Sequence, residues 1–249
     1  MNTNRLITIL DSVDSTNNYA MQQVHAGMAK HGMAWVAKEQ VAGKGQRGKV
    51  WQSAPGQNIA MSLVLEPISL KLADQFCLSM AVALACRDFF NQYAGGNTFI
   101  KWPNDIYWND RKAAGILIES VIGASNGGNW KWAVIGIGIN LNQTAFDPTI
   151  PNPISLQAIT GKTYDLVEMA TELHENLLQA YDRLLQEPYE KLEQDYCRKL
   201  YKLQHKQTLK KGDQVFDSII QGVNRKGQLL TKDTIERSFE FGEVEWIID

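Results

Sequence analysis

Two long apolar runs in the middle of the chain place the strongest constraint on its fold. One run extends from Ala114 to Ile122 and the other from Trp130 to Leu141, and a stretch rich in Gly, Ser and Asn joins them over 123–129. Apolar runs that are separated by turn-forming residues are typical of a β-hairpin. The pattern therefore predicts a hairpin in the middle of a sheet.

The surrounding patterns predict a chain that mixes strands with helices. Strand character is found at Leu6–Leu10, Trp35–Lys38, Ile59–Leu65, Phe99–Trp102 and Ile106–Trp108. Helices are predicted from Ser15 or Thr16 to about His25, over Leu70–Tyr93 as a buried helix, and over Leu166–Leu185 and Tyr189–Lys199.

After Lys206 the pattern changes to short strands separated by turns. These strands are predicted at Gln207–Leu209, Gln214–Val223, Gln228–Thr231 and Val244–Ile248. Strands at such short spacing are typical of a small barrel. The sequence therefore predicts an α+β domain over residues 1–203 and a small all-β domain over residues 204–249.

Composition narrows the class of protein. The 249 residues carry a net charge of −2, which provides neither the basic surface of a nucleic-acid-binding protein nor a polybasic membrane anchor. The apolar stretch around Leu78–Cys86 is too short to span a bilayer, and Met1–Ile9 lacks the features of a signal peptide. Cys77, Cys86 and Cys197 show no CxxC spacing, so we expect free thiols in the cytoplasm.

Polar residues between the first strand and the first helix form the first of four notable segments. Asp14, Ser15, Thr16 and Asn17 are the residue types that begin helices, and capping is the simpler interpretation of this segment alone. A polar cluster at the end of a strand can also bind the polar head of a small ligand.

The second segment, Gln40–Trp51, combines glycines with cations. Gly43, Gly45 and Gly48 alternate with basic residues, which allows backbone N–H groups and positive charge to face an anion. The segment matches neither a Walker A loop nor a Rossmann GxGxxG turn. Taken alone, it indicates a phosphate-binding loop or a solvated basic loop.

The third segment runs from Lys101 to Leu117 and carries charge into apolar sequence. Asn104 and Asp105 follow the strand-breaking Pro103, and Lys112 precedes a long apolar run. A charge in such a strand is costly unless an anion pairs with it, although a solvated residue at the end of a hairpin is an equal alternative. Gly115 weakens the strand unless a ligand approaches its backbone.

The fourth segment places Gly136 and Gly138 inside the second apolar run, before Asn140. Glycines in a strand indicate a bulge, close backbone packing or contact with a flat ligand. The four histidines lack the spacing of a zinc hydrolase, and no GxSxG nucleophile motif is present.

The ordered set of these segments resembles the biotin–protein ligase family. The motifs are DSTN, QVAGKGQRGKVW, KWPNDI with RKAAGIL, and GIGINLN, and the resemblance extends over nearly the whole chain. It implies a catalytic domain with a mixed sheet, related to lipoate ligases, and a C-terminal SH3-like barrel. Since the first motif lies near residue 14, the resemblance implies the short class without an N-terminal DNA-binding domain.

The resemblance also implies roles for individual residues. Biotin is expected to contact Ser15, Thr16, Asn17, Gln40, Lys44, Gly45, Gln46, Lys112 and Gly115. ATP and the adenylate are expected to contact Lys44, Arg47, Lys49, Trp51, Asn104, Lys112, Gly136, Gly138 and Asn140. The residues expected to act in catalysis are Lys112, Lys44, Arg47 and Asp105. Gln46 stands where many relatives carry arginine, so the positive charge is expected from Arg47 or Lys49.

The implied reaction activates biotin with ATP to biotinyl-5′-AMP and transfers biotin to a lysine of a biotin carboxyl carrier protein. Mg²⁺ is expected to arrive with ATP, near Asp105, and no DNA or membrane partner is expected. The sequence leaves open whether the protein forms a homodimer. Two alternatives are a lipoate- or octanoyl-transferring enzyme of the related fold, and a non-catalytic biotin-sensing or SH3-like interaction protein.

Overall fold

The protein, described by a computed structural model over residues 6–123 and 129–248, contains two sheets. The larger is a seven-stranded mixed sheet in the order β1-β2-β3-β7-β6-β5-β4. Its strands are β1 Ile7–Val13, β2 Ala34–Gln40, β3 Ile59–Leu65, β4 Thr98–Lys101, β5 Asp105–Trp108, β6 Arg111–Ile122 and β7 Trp130–Ile139. β1 and β2 are parallel, and the other neighbouring pairs are antiparallel.

The predicted central hairpin is confirmed. β6 and β7 pair so that Gly115 lies opposite Gly138 and Leu117 lies opposite Gly136. β3 pairs with the other edge of β7, so the two glycines of β7 lie on an interior strand of the sheet. The middle of the predicted turn, 124–128, lies outside the described residues.

Helices cover both faces of this sheet. They are α1 Thr16–His25, α2 Gln75–Ala94, α3 Leu156–Thr160, α4 Leu166–Gln186 and α5 Tyr189–Arg198. α1 packs on one face, where Ala20 and Val24 join Trp35, Val64 and Val134 in a small apolar cluster. α2 and α4 bury the main core on the other face, which explains why α2 is apolar around nearly its whole circumference.

The second sheet contains the C-terminal strands. Its order is β11-β10-β9-β8-β12, with β8 Lys206–Lys211, β9 Gln214–Val223, β10 Leu229–Lys232, β11 Glu236–Phe239 and β12 Glu245–Trp246. All of its pairs are antiparallel. The α+β class with a mixed sheet is thus confirmed, while closure into an SH3-like barrel and a boundary at residues 203/204 stay predictions.

The two sheets share a packed junction. The indole nitrogen of Trp102 donates a hydrogen bond to the carbonyl of Gly227 at 2.9 Å. Arg225 forms a salt bridge of 3.0 Å with Asp74, immediately before α2. Buried side chains from the second sheet, including Leu209 and Ile220, belong to the same apolar cluster as α2. The C-terminal sheet is therefore fixed against the end of the larger sheet that carries β4 and β5.

The three cysteines, Cys77, Cys86 and Cys197, are free thiols, as expected from the sequence. Cys77 and Cys86 are buried on α2, and burial raises the pKa of both. Across the described ranges, no helix combines the length and the apolar character needed to cross a membrane.

The beginning of α4 provides a test of local stability. Asp165 caps this helix, since its carboxylate accepts hydrogen bonds of 2.9 Å from the backbone of Val167 and Glu168. We expect Asp165→Ala to lower the free energy of unfolding by about 1 kcal/mol. Asp165→Asn, which retains an acceptor, should lower it by only a fraction of that value. Urea unfolding of the two variants measures the difference, and equal stabilities would contradict the capping role.

Candidate functional site

A buried polar cluster lies where α1 meets the sheet. The side-chain oxygen of Gln40 accepts hydrogen bonds from the backbone N–H of Thr16 at 2.8 Å and from its hydroxyl at 3.0 Å. The hydroxyl of Ser62 lies 2.8 Å from the Thr16 hydroxyl and 2.5 Å from the side-chain amide oxygen of Asn17. Thr16 and Asn17, from the first motif, and Gln40, from the second, are thus brought together.

Asn17 connects this cluster to the central hairpin. Its side-chain nitrogen donates a hydrogen bond of 2.9 Å to the carboxylate of Glu119 on β6. A methyl group at Gly136 would overlap the Asn17 amide, so glycine is required there for this close approach. Ser15 begins α1 but its side chain makes no capping hydrogen bond, and it is only 1% exposed. The capping explanation of the first motif is therefore insufficient.

A flat floor without side chains lies beside the polar cluster. It is formed by Gly115 and Gly138, which lie opposite each other on β6 and β7. The indole of Trp51 lies on this floor: a methyl group at Gly138 would overlap the ring, and a Cβ atom at Gly115 would come within 3.1 Å of it. The indole nitrogen is buried without a hydrogen-bond partner in the described part of the chain. The sequence indicated a bulge, close packing or a flat ligand at Gly136 and Gly138. The β6–β7 register is regular at both glycines, so there is no bulge, and the flat group on Gly138 is an indole.

The glycine- and cation-rich segment folds into a compact loop, residues 43–51. Gly45 donates a backbone hydrogen bond to Lys49 at 2.7 Å, and Trp51 donates one to Gly43 at 2.9 Å. The Gln46 side chain donates to the carbonyl of Ile116 on β6 at 3.2 Å. These bonds hold the loop over the hairpin and place Trp51 on the floor.

The cations of the loop diverge. Lys44 and Lys49 are exposed. Arg47 turns toward the C-terminal sheet, where its guanidinium carbon lies 5.8 Å from the centre of the Phe241 ring. The structure thus places Arg47 against the other sheet, while the positive charge of Lys49 contributes to lowering the pKa of Lys101.

Lys112 stands at the edge of the glycine floor. Its ammonium group forms a salt bridge of 2.7 Å with Asp105 and lies 5.8 Å from the centre of the Trp51 ring. Asn140 donates a side-chain hydrogen bond of 3.3 Å to the carbonyl of Lys112, and so supports its backbone. The neighbouring Asn104 donates to the carbonyl of Ile116 at 2.5 Å. The sequence allowed Lys112 to be either paired with an anion or solvated at the end of a hairpin. The structure shows both features, since Lys112 pairs with Asp105 and its side chain is 30% exposed.

Lys101 is a fourth lysine of this region, and sequence reasoning gave it no role. It lies opposite Asp105 in the β4–β5 pair, and its ammonium group is 5.3 Å from the Tyr107 ring centre and 5.6 Å from that of Trp246. Burial lowers the pKa of Lys101, as do the charges of Lys112 and Lys49, while Asp105 raises it. No salt bridge of Lys101 is found within the residues described. Its ammonium group therefore lies beside positive charge without an anion of its own.

Two further polar residues of the cluster, Ser62 and Glu119, were also missed. Ser62 is the one polar residue in IAMSLVL, and Glu119 is the one charged residue in AAGILIESVI. A polar residue at such a position requires a partner when it is buried. That rule, applied to these two strands, would have drawn attention to both.

The chemical character of the site changes from one end of the glycine floor to the other. Donors and acceptors of the polar cluster lie at one end of the floor, and Lys112 lies at the other. Lys101 lies to the side, across Asp105 from Gly115. A ligand that extends along the floor would meet the hydrogen-bonding groups of the cluster first and positive charge second. This geometry suits a small molecule with a polar head and an acidic tail, meeting a second anion at its acidic end.

Comparison of the sequence and the structure with known proteins identifies the family of the chain. A profile of the Biotin/lipoate A/B protein ligase family matches residues 9–140, more than half of the chain. The chain belongs to this family. The Bifunctional ligase/repressor BirA of Escherichia coli is 31% identical over 248 residues, which cover 96% of this chain and 73% of the relative. The Biotin–[acetyl-CoA-carboxylase] ligase of Paracoccus denitrificans is 39% identical over 164 residues, or 63% of this chain and 65% of the relative.

Solved structures of the family agree with the fold. The biotin protein ligase of Aquifex aeolicus in complex with biotin and ATP superposes with a TM-score of 0.80 at 23% identity, over 98% of this chain and 99% of that one. The Leishmania major ligase in complex with biotinyl-5-AMP gives a TM-score of 0.65 at 25% identity, over 98% of both chains. The resemblance to biotin–protein ligases predicted from the four motifs is confirmed.

The glycine floor can be tested by filling it. Gly138→Ala introduces a methyl group that would overlap the Trp51 indole, so we expect the indole to leave the floor. Acrylamide quenching of tryptophan fluorescence should then increase, because the displaced ring meets solvent. In a Trp51→Phe background the same substitution should leave quenching unchanged. An increase of equal size in both backgrounds would show that another tryptophan responds.

Proposed function

We propose that the chain is a biotin–protein ligase, which activates biotin with ATP to biotinyl-5′-AMP and then transfers biotin to a lysine of a carrier protein. One observation carries the proposal: the Lys112 ammonium stands at the end of a glycine floor whose other end is a buried cluster of hydrogen-bonding groups. Family membership and the relatives named as biotin ligases support it.

The polar cluster is proposed to bind the ureido ring of biotin. Ser15, Thr16, Asn17 and Gln40 supply both donors and acceptors in a buried setting, as a cyclic urea with N–H and C=O groups requires. The apolar body of biotin would lie along Gly115 and the loop residues Lys44–Gln46. Its carboxylate would then reach Lys112, at the opposite end of the floor.

The cation side is proposed to bind ATP. Lys112, Lys44 and Lys49 would neutralise the phosphates, with Lys101 as a further cation, while Gly136, Gly138, Asn140, Asn104 and Trp51 would line the adenylate. Asp105 would orient Lys112 through their salt bridge. Since the meeting of two anions is opposed by their charges, cations fixed in advance are the main requirement for this step.

The proposed chemistry has two steps. The biotin carboxylate oxygen attacks the α-phosphorus of ATP, and the bond to pyrophosphate breaks, which gives a mixed anhydride. The neutral amine of the carrier lysine then attacks the acyl carbon, AMP leaves with the bonding electron pair, and the new amide nitrogen releases one proton to solvent. Loop 43–51 would keep water from the anhydride, because it covers the floor through Trp51.

Mg²⁺ is proposed to enter as part of MgATP. In the described ranges no group of three or more His, Cys, Asp and Glu side chains is arranged to hold a metal ion. Asp105, near which Mg²⁺ was expected, already pairs with Lys112. Free cysteines are consistent with a reducing, cytoplasmic setting for the reaction.

A single incubation tests the function. The protein is mixed with biotin, MgATP and a biotin carboxyl carrier domain, and the carrier is weighed by mass spectrometry. We expect the mass of one biotinyl group on one lysine. Lipoate or octanoate, supplied in place of biotin, should give no modified carrier. Modification by these acids, but not by biotin, would favour the lipoate-type alternative, and ligand binding without any turnover would favour the non-catalytic one.

Lys112 is expected to be essential for the first step. Lys112→Ala should lower the rate of biotinyl-5′-AMP formation by a factor of about 10² to 10³, since it removes a fixed charge from the transition state. Lys202→Ala is a matched control, because Lys202 also pairs with an aspartate, Asp110, at 3.0 Å. Ordinary turnover by a folded Lys112→Ala variant would refute the assignment.

Lys101 is expected to contribute to the binding of MgATP and not to the binding of biotin. Lys101→Met, which retains the apolar stem, should raise KM for MgATP about tenfold and leave KM for biotin nearly unchanged. Because burial lowers the pKa of Lys101, its charge is present below that pKa and is lost as the pH rises through it. KM for MgATP should thus rise toward alkaline pH in the natural protein, and this step should be absent in Lys101→Met. Identical pH profiles would contradict the role.

A further inference from the structure

Arg47 occupies an unusual place in loop 43–51. It is the middle residue of the short 3-10 turn Gln46–Gly48, and its backbone lies in the left-handed region with φ 55° and ψ 40°. A residue with a side chain costs on the order of 1 kcal/mol in that conformation, so contacts elsewhere must hold it. The neighbouring Gln46 forms a hydrogen bond with β6 on one side of the loop, and Arg47 makes its contacts on the other side.

Those contacts lie on the C-terminal sheet. The guanidinium carbon of Arg47 lies 5.8 Å from the centre of the Phe241 ring, within range of a cation–π interaction. The guanidinium also rests directly on the backbone of Gly242, where a methyl group would overlap it. Gly242 therefore forms a notch, and Phe241 forms one wall of that notch.

The notch has contacts of its own that do not involve the loop. It lies in the turn Glu240–Glu243, closed by a backbone hydrogen bond of 3.0 Å and by a bond of 2.9 Å from the Glu240 N–H to the Glu243 carboxylate. Phe241 packs edge-on against Trp102, with ring centres 6.1 Å apart. Of the two carboxylates in the turn, Glu243 already forms a salt bridge of 3.3 Å with Lys211. The contact of Arg47 with the turn therefore depends on the Phe241 ring and on the backbone of Gly242.

We propose that the turn Glu240–Glu243 is a latch that holds loop 43–51 over the glycine floor, with Arg47 as the positioning residue that engages it. The latch rests on geometry alone. Its consequence for catalysis rests on the proposed function: the C-terminal sheet would slow the escape of the adenylate by keeping Trp51 and the loop lysines in place. Arg47, which the family resemblance assigned to ATP, would act through the loop.

Gly242→Ala tests the latch, with Gly212→Ala as a matched control. Both glycines belong to turns of the C-terminal sheet and have positive φ angles, 82° and 58°, so both variants carry similar backbone strain. A methyl group at Gly212 meets nothing within 4 Å, whereas one at Gly242 overlaps Arg47. The difference in loop opening between the two variants therefore measures the effect of the contact between Gly242 and Arg47.

The measurement is limited trypsin digestion of the full-length protein, with cleavage after Lys44 and Lys49 followed by mass spectrometry. Opening of the loop exposes these bonds, so the cleavage rate follows the open population. We expect Gly242→Ala to be cleaved about two- to fivefold faster than Gly212→Ala, the size expected from an exposed cation–π contact. Arg47→Ala should accelerate cleavage equally, and adding Gly242→Ala to it should have no further effect.

Equal cleavage of Gly242→Ala and Gly212→Ala, or additive effects in the double variant, would overturn the latch. If Gly242→Ala does not fold, Phe241→Leu replaces it and should accelerate loop cleavage about twofold; unchanged cleavage would overturn the proposal. In protein loaded with biotin and MgATP, the latch variants should also release biotinyl-5′-AMP faster. Failure to form any adenylate would refute the proposed function, and the digestion would still decide whether the latch exists.

Discussion

The site depends on the absence of side chains along the middle of the central hairpin. Because Gly115, Gly136 and Gly138 lie on one face of β6 and β7, an amide and an indole can rest directly on the backbone. Any larger residue there would separate the polar cluster of α1 from the floor that extends toward Lys112. Glycine weakens a strand, and pairing of β7 with strands on both sides offsets that weakness.

Charge is distributed around this floor in a way that favours the joining of two anions. Lys112 and Lys101 lie on the same side, with Asp105 as the carboxylate between them. Partial burial strengthens each of these interactions, because fewer water molecules screen them. The C-terminal sheet takes part as well, since Trp246 flanks Lys101 and Phe241 contacts Arg47. The smaller sheet is thus part of the site and not merely an appendage to it.

Local sequence predicted those parts of the molecule that local forces determine. The strand at Ile59–Leu65 was predicted with its observed bounds, and the cost of a charge drew attention to Lys112. Helix α3 was missed because its five residues are too few for periodicity, and β11 was missed because Glu236–Phe239 is polar and mostly exposed. The positions of Trp246 beside Lys101 and of Phe241 beside Arg47 could not be predicted, because both aromatic residues belong to the C-terminal part of the chain, far along the sequence. Tyr107, the other aromatic partner of Lys101, lies on the neighbouring strand of the same sheet.

The central claim is that positive charge at the end of the glycine floor joins a biotin carboxylate to the α-phosphorus of ATP. Exchange of labelled pyrophosphate into ATP, measured with and without biotin, tests it most directly, because the exchange reports the reversible first step alone. The account predicts exchange that requires biotin and is lost when the Lys112 ammonium is removed. Exchange that proceeds equally well without biotin, or that survives the loss of that ammonium, would contradict it.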